Sequence, residues 1–336
     1  MNLSIIIPVY NCAEYLRTGF SQLHSLYTSS VSFEIIYVND GSTDNSLAVL
    51  NKIQTDNNHI TVLSQENQGS SGARNTAIDV AQGEYIYFLD SDDALETDKL
   101  MVLLAEAQAA SLDLLGFRLD YVDERYSYLT TREKQPVPQN QLMSGFECLV
   151  YGYQPSSICL FLFKRILLIE NELRIYPKIT HMDVEFMSRV MLCAAKVKFQ
   201  NVVILHYVQR AGSITKPQTK EKLEKLKIDE VTIAQLIKTS LATYGISDRA
   251  VIRAVQANYN TVVWNLLFGF IVRPKELELD VKLKCMELLK THQLYPIRGP
   301  LKSLFQNMTR ILMNRAVFLF VVKRMYWNAS EVRTHE

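Results

Sequence analysis

The chain has no C-x-x-C pair. Its five cysteines, Cys12, Cys148, Cys159, Cys193 and Cys285, stand far apart and are odd in number, which argues against a disulfide framework and makes a reduced, cytoplasmic setting the expectation. No apolar stretch is long enough to cross a bilayer. The opening Met1-Asn2-Leu3-Ser4-Ile5-Ile6-Ile7-Pro8 lacks the basic start and long apolar core of a secretion signal and reads as a first strand. An excess of either charge is missing too: 36 Lys and Arg against 35 Asp and Glu leave a formal +1, so the whole-chain balance gives no reason to expect nucleic acid as a partner. There is no internal repeat and no low-complexity tract. What remains is 336 residues, enough for one large domain or two ordinary ones with ample core.

What is present, conspicuously, is Phe88-Leu89-Asp90-Ser91-Asp92-Asp93, an acidic turn directly behind the apolar run Tyr85 to Leu89. Carboxylates this close raise one another's pKa unless a cation sits between them. Hard oxygen donors suit Mg²⁺ or Mn²⁺, which complete their shells with water and substrate phosphates, so a metal-bound nucleotide is the first hypothesis. The same residues would also serve as a solvated turn and N-cap for a helix from Thr97 to Ala110.

Leu3 to Val9 is a short continuous apolar run between turn residues, which suits a central parallel strand covered on both faces. Leu16, Phe20, Leu23 and Tyr27 follow at helical spacing. Ile35 to Val38 reads as a second strand, closed by Asn39-Asp40-Gly41-Ser42-Thr43-Asp44, with Leu47, Leu50 and Ile53 on the helix face behind it. Ile60 to Leu63 is a third strand, and Asn67-Gln68-Gly69-Ser70-Ser71-Gly72 leads into a helix carrying Ala73, Ala77 and Val80. With the strand at Tyr85, this alternation predicts an open, mostly parallel α/β sheet with flanking helices. Ligands of such sheets sit at the carboxyl ends of the strands. Tyr10 and Asn11, Asp40, Asn67 and Gly69, and Asp90 and Asp92 all fall there.

The strings Ile5 to Asn11, Val38 to Asp44, Asn67 to Asn75 and Phe88 to Asp93 occur in an order and spacing that resemble the family 2 glycosyltransferases of the A-type fold, strongly to about residue 118 and more diffusely to about 215. The resemblance implies a nucleotide-sugar donor. Asp40 would accept the imide N–H of a uracil base, with Val9 and Tyr10 walling the pocket and Pro8, Asn67, Gly69 and Ser91 among the donor contacts. Arg74 would lie near the diphosphate and Asp90 over the ribose or sugar. Asp92 would hold the Mn²⁺ or Mg²⁺ that bridges the phosphates and neutralises the departing UDP. Plainer readings exist: Asp40 as a type I turn residue before Gly41, and Arg74 as a surface ion pair on its helix. One departure is Ala77, where relatives commonly carry Gly.

Residues 119–141 are polar, with Pro136 and Pro138, and read as a loop or irregular hairpin where an acceptor site could be shaped; Ser157 to Leu168 is strongly apolar. Relatives usually show Glu-Asp-x-x-Phe where this chain has Met182-Asp183-Val184-Glu185-Phe186, so Asp183 matches the carboxylate that deprotonates the acceptor hydroxyl in a single inverting displacement. The chemistry asks for an ionised carboxylate at a helix N-terminus within reach of that hydroxyl. Asp183 as a helix cap is the alternative, although Thr180 or His181 could serve instead. Glu185 would point to another face, and His181 reads as structural or acceptor-facing rather than as a metal ligand. Asn201 to Val208 is a last strand. Tyr207 to Ile214 resembles the family's Tyr-x-x-Arg-x-x-Ser segment, in which Arg210 would cover the diphosphate.

These residues make 1–215 the catalytic domain and 216–336 a helical region. The second shows helical spacing in Leu223, Leu226, Ile233 and Ile237, in Val251, Val255, Tyr259 and Val262, and in Leu279, Leu283 and Met286. Between Arg298 and Trp327 it carries six cations and no acid among Leu301, Leu304, Phe305, Ile311, Leu312, Phe318, Leu319, Phe320, Tyr326 and Trp327. Such helices lie on anionic bilayers; a packed helix with a solvated basic face would look the same. The resemblance as a whole implies transfer to a glycan or lipid-linked glycan at the cytoplasmic face of a membrane, in cell-surface polysaccharide assembly. A sugar nucleotidyltransferase would want a glycine-rich basic loop where Tyr10-Asn11-Cys12 stands, and a silent glycan- or nucleotide-binding module would have lost Asp92 or Asp183.

Overall fold

The computed structural model describes the chain except for residues 17–22, 24–30, 132–134, 156, 210–218, 316–317 and 332–336, and gives the backbone alone for 325–331. Most of the helix predicted around Leu16 to Tyr27 lies outside the described residues. The chain divides into two units, Met1–Lys178 with Arg189–Ala211, and Ile179–Ser188 with Gly212–Glu336.

The first unit is built on one sheet. Its strands are β1 (Leu3–Val9), β2 (Phe33–Asp40), β3 (Ile60–Gln65), β4 (Tyr85–Phe88), β5 (Ala94–Leu95), β6 (Leu114–Val122), β7 (Tyr128–Thr131), β8 (Phe161–Lys164) and β9 (Val197–Val208), in the order β3-β2-β1-β4-β8-β6-β9-β5 with β7 beside β6. Helices α1 (Ser46–Thr55), α2 (Gly69–Val80), α3 (Thr97–Ala109), α4 (Gly145–Val150) and α5 (Arg165–Glu170) punctuate it. The continuous apolar run of β1 has its expected cause: parallel neighbours on both edges, with Ile5 opposite Ile35 and Ile6 opposite Phe88, and both faces covered. The parallel part of the open α/β sheet is β3-β2-β1-β4; beyond it β8 enters antiparallel to both β4 and β6, and β9 runs parallel to β6. The polar character read from residue 119 onward does not end β6, which continues to Val122 and turns back as β7. The apolar stretch 157–168 supplies β8, whose Phe161, Leu162 and Phe163 are buried.

Helix α6 (Met182–Cys193) runs across the division between the units. The second unit otherwise holds α7 (Lys220–Thr243), α8 (Arg249–Val272), α9 (Leu279–Thr291), α10 (Leu304–Met313) and α11 (Phe318–Glu331). Local chemistry sets several starts. Thr219 accepts the Lys222 N–H, Asp248 accepts those of Ala250 and Val251, and Ser303 with Gln306 forms a reciprocal capping box. The core takes Ile233 and Ile237 from α7, Val255, Leu267 and Phe270 from α8, and Cys285, Met286 and Leu289 from α9. Leu283, expected on the inner face of α9, points outward.

Candidate active site

The chain moves outward from β1 through β2 to β3 and then returns to the other side of β1 as β4. The order therefore reverses between β1 and β4, the place where open α/β sheets form a crevice at their carboxyl ends. Asn11, with φ of +51°, closes the first loop onto the second: its Oδ1 accepts from Thr43 N at 2.7 Å and Asp44 N at 3.3 Å, and its own N–H donates to Ser42 Oγ at 3.1 Å. Cys12 N–H adds a bond to Ser46 Oγ at 3.0 Å. This holds Tyr10 out at 52% exposure, with a ring face available to a ligand. Val9 is wholly buried and would meet a ligand only through its backbone, while Pro8 is half-buried.

Asp40 ends β2 and is 2% exposed, so it is not a surface turn residue. Its Oδ1 accepts from Gln65 Nε2 at 2.7 Å and Gln68 N at 2.9 Å, and Gln65 Oε1 in turn accepts from Thr76 Oγ1 at 2.6 Å. Both bonds fall on one oxygen, which fixes the carboxylate plane and leaves Oδ2 for a further donor. Gln65 and Gln68 were not singled out in the sequence; Gln68 stood in the quoted string, but nothing local marks a glutamine that serves a carboxylate 25 or 28 residues away. Gly41 has φ of +70°, and a Cβ there would stand 3.0 Å from Asn67 N, so the glycine lets the loops after β2 and β3 close on each other. Asn67 is exposed beside it, and Gly69 opens α2 at φ of +78°. Gly41→Ala should lower stability by about 1–3 kcal/mol through backbone strain, read as a fall in thermal midpoint.

The acidic turn has partners within the protein. Arg74, 3% exposed on α2, pairs with Asp90 Oδ1 from another element altogether, so it is not a surface ion pair on its own helix. Cys159 Sγ stands 3.8 Å from Asp90 Oδ2. Asp93, 5% exposed, accepts the Val208 N–H at 3.1 Å and tethers the turn to β9. Ser91 hydrogen-bonds the Cys12 thiol, which burial pushes up and which the charges of Asp44 and Asp92 push further. The mutual repulsion inferred from the sequence is thus relieved by a guanidinium and a backbone N–H. Nor does the turn cap a helix: β5 intervenes, and the residue before α3 is Glu96, whose side chain makes no cap bond. Among the described residues no three His, Cys, Asp or Glu side chains are grouped to hold a metal. The donor set still fits Mg²⁺ or Mn²⁺ in one form, a single carboxylate from half-buried Asp92, with substrate phosphates and water as the remaining ligands.

Asp183 lies in the first turn of α6, and Glu185 in the same turn is 1% exposed. The approach to that turn is anchored within the second unit: Thr180 N–H donates to Asp229 Oδ2 at 2.8 Å, and Lys225 pairs with the same carboxylate. His181 sits in the left-handed region at φ of +58°; desolvation and then Lys227 hold its imidazole below the usual pKa, against the pull of Asp229. Arg210 lies outside the described residues.

Residues 4–166 match the profile of glycosyl transferase family 2. Glycosyltransferase GlyG of Streptococcus pneumoniae is 30% identical over 223 residues, 64% of this chain and 73% of the relative. The chain belongs to glycosyl transferase family 2. A second relative, the poly(ribitol-phosphate) beta-glucosyltransferase of Bacillus spizizenii, is 40% identical over 219 residues, 63% of this chain and 33% of its own length; the chain thus spans less than two thirds of some curated relatives it matches. In three dimensions this family 2 glycosyltransferase superposes on a crystal structure of S. aureus TarS 1-349 in complex with UDP-GlcNAc with a TM-score of 0.72, at 18% identity over 98% of this chain and 92% of the other. That likeness covers the helical region as well as the sheet.

Proposed function

We propose that this enzyme transfers one sugar from a UDP-sugar, with Mn²⁺ or Mg²⁺ and with inversion, to a hydroxyl of a glycan or lipid-linked glycan in cell-surface polysaccharide assembly, acting at the cytoplasmic face of a membrane. The observation that carries the reading is the convergence, at one switch point, of a buried strand-end carboxylate with one oxygen left over, a buried arginine held by Asp90, and a half-buried Asp92. The first suits the imide of uracil, the second a diphosphate, the third a divalent ion. The uridine nucleotide named in the TarS structure and the polymer named in the Bacillus relative point the same way.

In this scheme Asp40, with Tyr10 over the ring and Asn67, Gly69 and the backbone at Pro8 and Val9 around it, orients the base. Arg74 exchanges Asp90 for phosphate oxygens, and Asp90 with Ser91 turns to the ribose or sugar. Asp92 would hold the metal, whose chemistry is to neutralise charge on the departing diphosphate. Arg210 belongs to the same diphosphate grip. Asp183 takes the proton from the acceptor hydroxyl as that oxygen attacks the anomeric carbon opposite UDP. Residues 1–215 carry the donor chemistry and 216–336 the membrane side.

A hydrolysis screen over UDP- and GDP-sugars with Mn²⁺ tests the donor reading and needs no acceptor. Asp40→Asn should weaken UDP binding roughly 10-fold or more in calorimetry, because a hydrogen bond to a charged acceptor contributes about 1.5–3 kcal/mol. Equal UDP and GDP affinities in the parent would sink the uracil assignment.

A further inference from the structure

Helix α10 is seated the wrong way round for a globular protein. It meets α8 through Thr309, whose hydroxyl accepts from Trp264 Nε1 at 2.9 Å, and through one edge of Phe305 against Trp264 and Phe268; Met313, at its end, is 1% exposed. Its apolar stripe faces solvent. Leu304 is 77% exposed, Met308 61%, Ile311 55% and Leu312 69%, and these positions fall on one side of a helix with 3.6 residues per turn. Phe320 and Val321 of α11 are exposed as well, whereas Leu301 and Phe318, counted with them in the sequence, are buried.

Beside Ile311 opens a cleft of about 520 Å³ lined by Arg298, Arg310 and Arg315 with Gly299 and Asn314. Its frame is well tied. Asn314 pairs with both the N–H and the carbonyl of Ile297, at 2.9 and 2.8 Å, and Asn260 Nδ2 donates to the carbonyls of Arg298 and Pro300 at 2.8 and 3.0 Å. Arg310 reaches the Gly299 carbonyl. Among the described residues no carboxylate pairs with any of the three arginines. Guanidinium forks suit phosphate oxygens.

We propose that this face docks on an anionic lipid bilayer: Leu304, Met308, Ile311 and Leu312 enter the acyl boundary, and a lipid headgroup phosphate sits in the cleft among Arg298, Arg310 and Arg315. Charge complementarity and the adjacency of the cleft to the stripe select a membrane over a protein groove, which would cover the stripe without needing the arginines. The inference deepens the membrane side of the reading above and rests on it for its purpose, so donor hydrolysis is followed alongside.

The experiment is co-sedimentation of the full chain with phosphatidylcholine vesicles, with and without about one third phosphatidylglycerol, at low and high salt. The chain should pellet with the anionic vesicles only, and less at high salt. Arg298→Gln with Arg315→Gln should weaken partitioning roughly 25-fold, about five-fold per cation. Met308→Ser, Ile311→Ser and Leu312→Ser together should leave the protein in the supernatant; all three sites are exposed, and an unchanged thermal midpoint checks the fold. Both variants should hydrolyse donor like the parent. Binding indifferent to anionic lipid or to either variant would overturn the proposal. So would a lipid-free dimer in sedimentation velocity that the serine variant abolishes, which would assign the face to a second copy. Vesicle binding without donor hydrolysis would instead overturn the catalytic reading alone.

Discussion

Asp92→Ala is expected to lose transfer by roughly 10³-fold or more, about 4 kcal/mol of transition-state stabilisation, together with the metal-dependent part of UDP binding. Asp90 is tied to Arg74 and Asp93 to the Val208 N–H, and the metal role proposed above falls to half-buried Asp92, the position the family resemblance marks. The fold should survive, because the ties from Asp90 to Arg74 and from Asp93 to the Val208 N–H remain in the variant. Calorimetry of UDP with and without Mn²⁺ checks both parts. Metal-dependent binding that persists undiminished in the variant would end the assignment, and Asp90 would have to leave Arg74 to take its place.

Asp183→Asn should keep donor binding and reduce turnover by roughly 10²-fold or more, since the amide preserves shape but cannot accept the proton. Two neighbours are rivals for the role. Glu185 is buried within the helix packing, and His181, kept below its usual pKa, is neutral and thus competent as a base near pH 7. The pH profile separates them. A carboxylate base gives a turnover limb in the acid range, whereas the His181 imidazole gives one at higher pH, drawn down from its ordinary position by burial and Lys227. Parent-like turnover in the variant would transfer the role to Glu185 or His181, and the pH profile would tell the carboxylate from the imidazole.

The strand ends were legible because their signals are local: continuous apolar runs, each closed by turn residues, put β1 to β4 and the four loops at the crevice. Partnerships were not, since a hydrogen bond across 16 or 115 residues leaves no mark on spacing. Asp93 read as one more acid in a cluster and is a tether to β9; Asn11 read as a ligand-facing residue and is the clamp between two loops. The antiparallel entry of β8 was likewise hidden, because a short run of three buried apolar residues looks the same in either direction. In α10 periodicity identified the apolar stripe but not which way it faces, and Leu301 and Phe318 turned inward while Leu304 and Phe320 turned out.

The carboxylates of Asp40, Asp44, Asp90, Asp92 and Asp93 all end at one edge of the sheet, with Arg74 buried among them. To a bare nucleotide diphosphate diffusing toward that edge, the local field has the wrong sign. A nucleotide that travels with its divalent ion carries much less negative charge and meets much less opposition. On the metal-dependent reading proposed above, the ion would act at the doorway as well as at the leaving group: it would set how often donor arrives, and a chelator would slow encounter before it touched the chemistry.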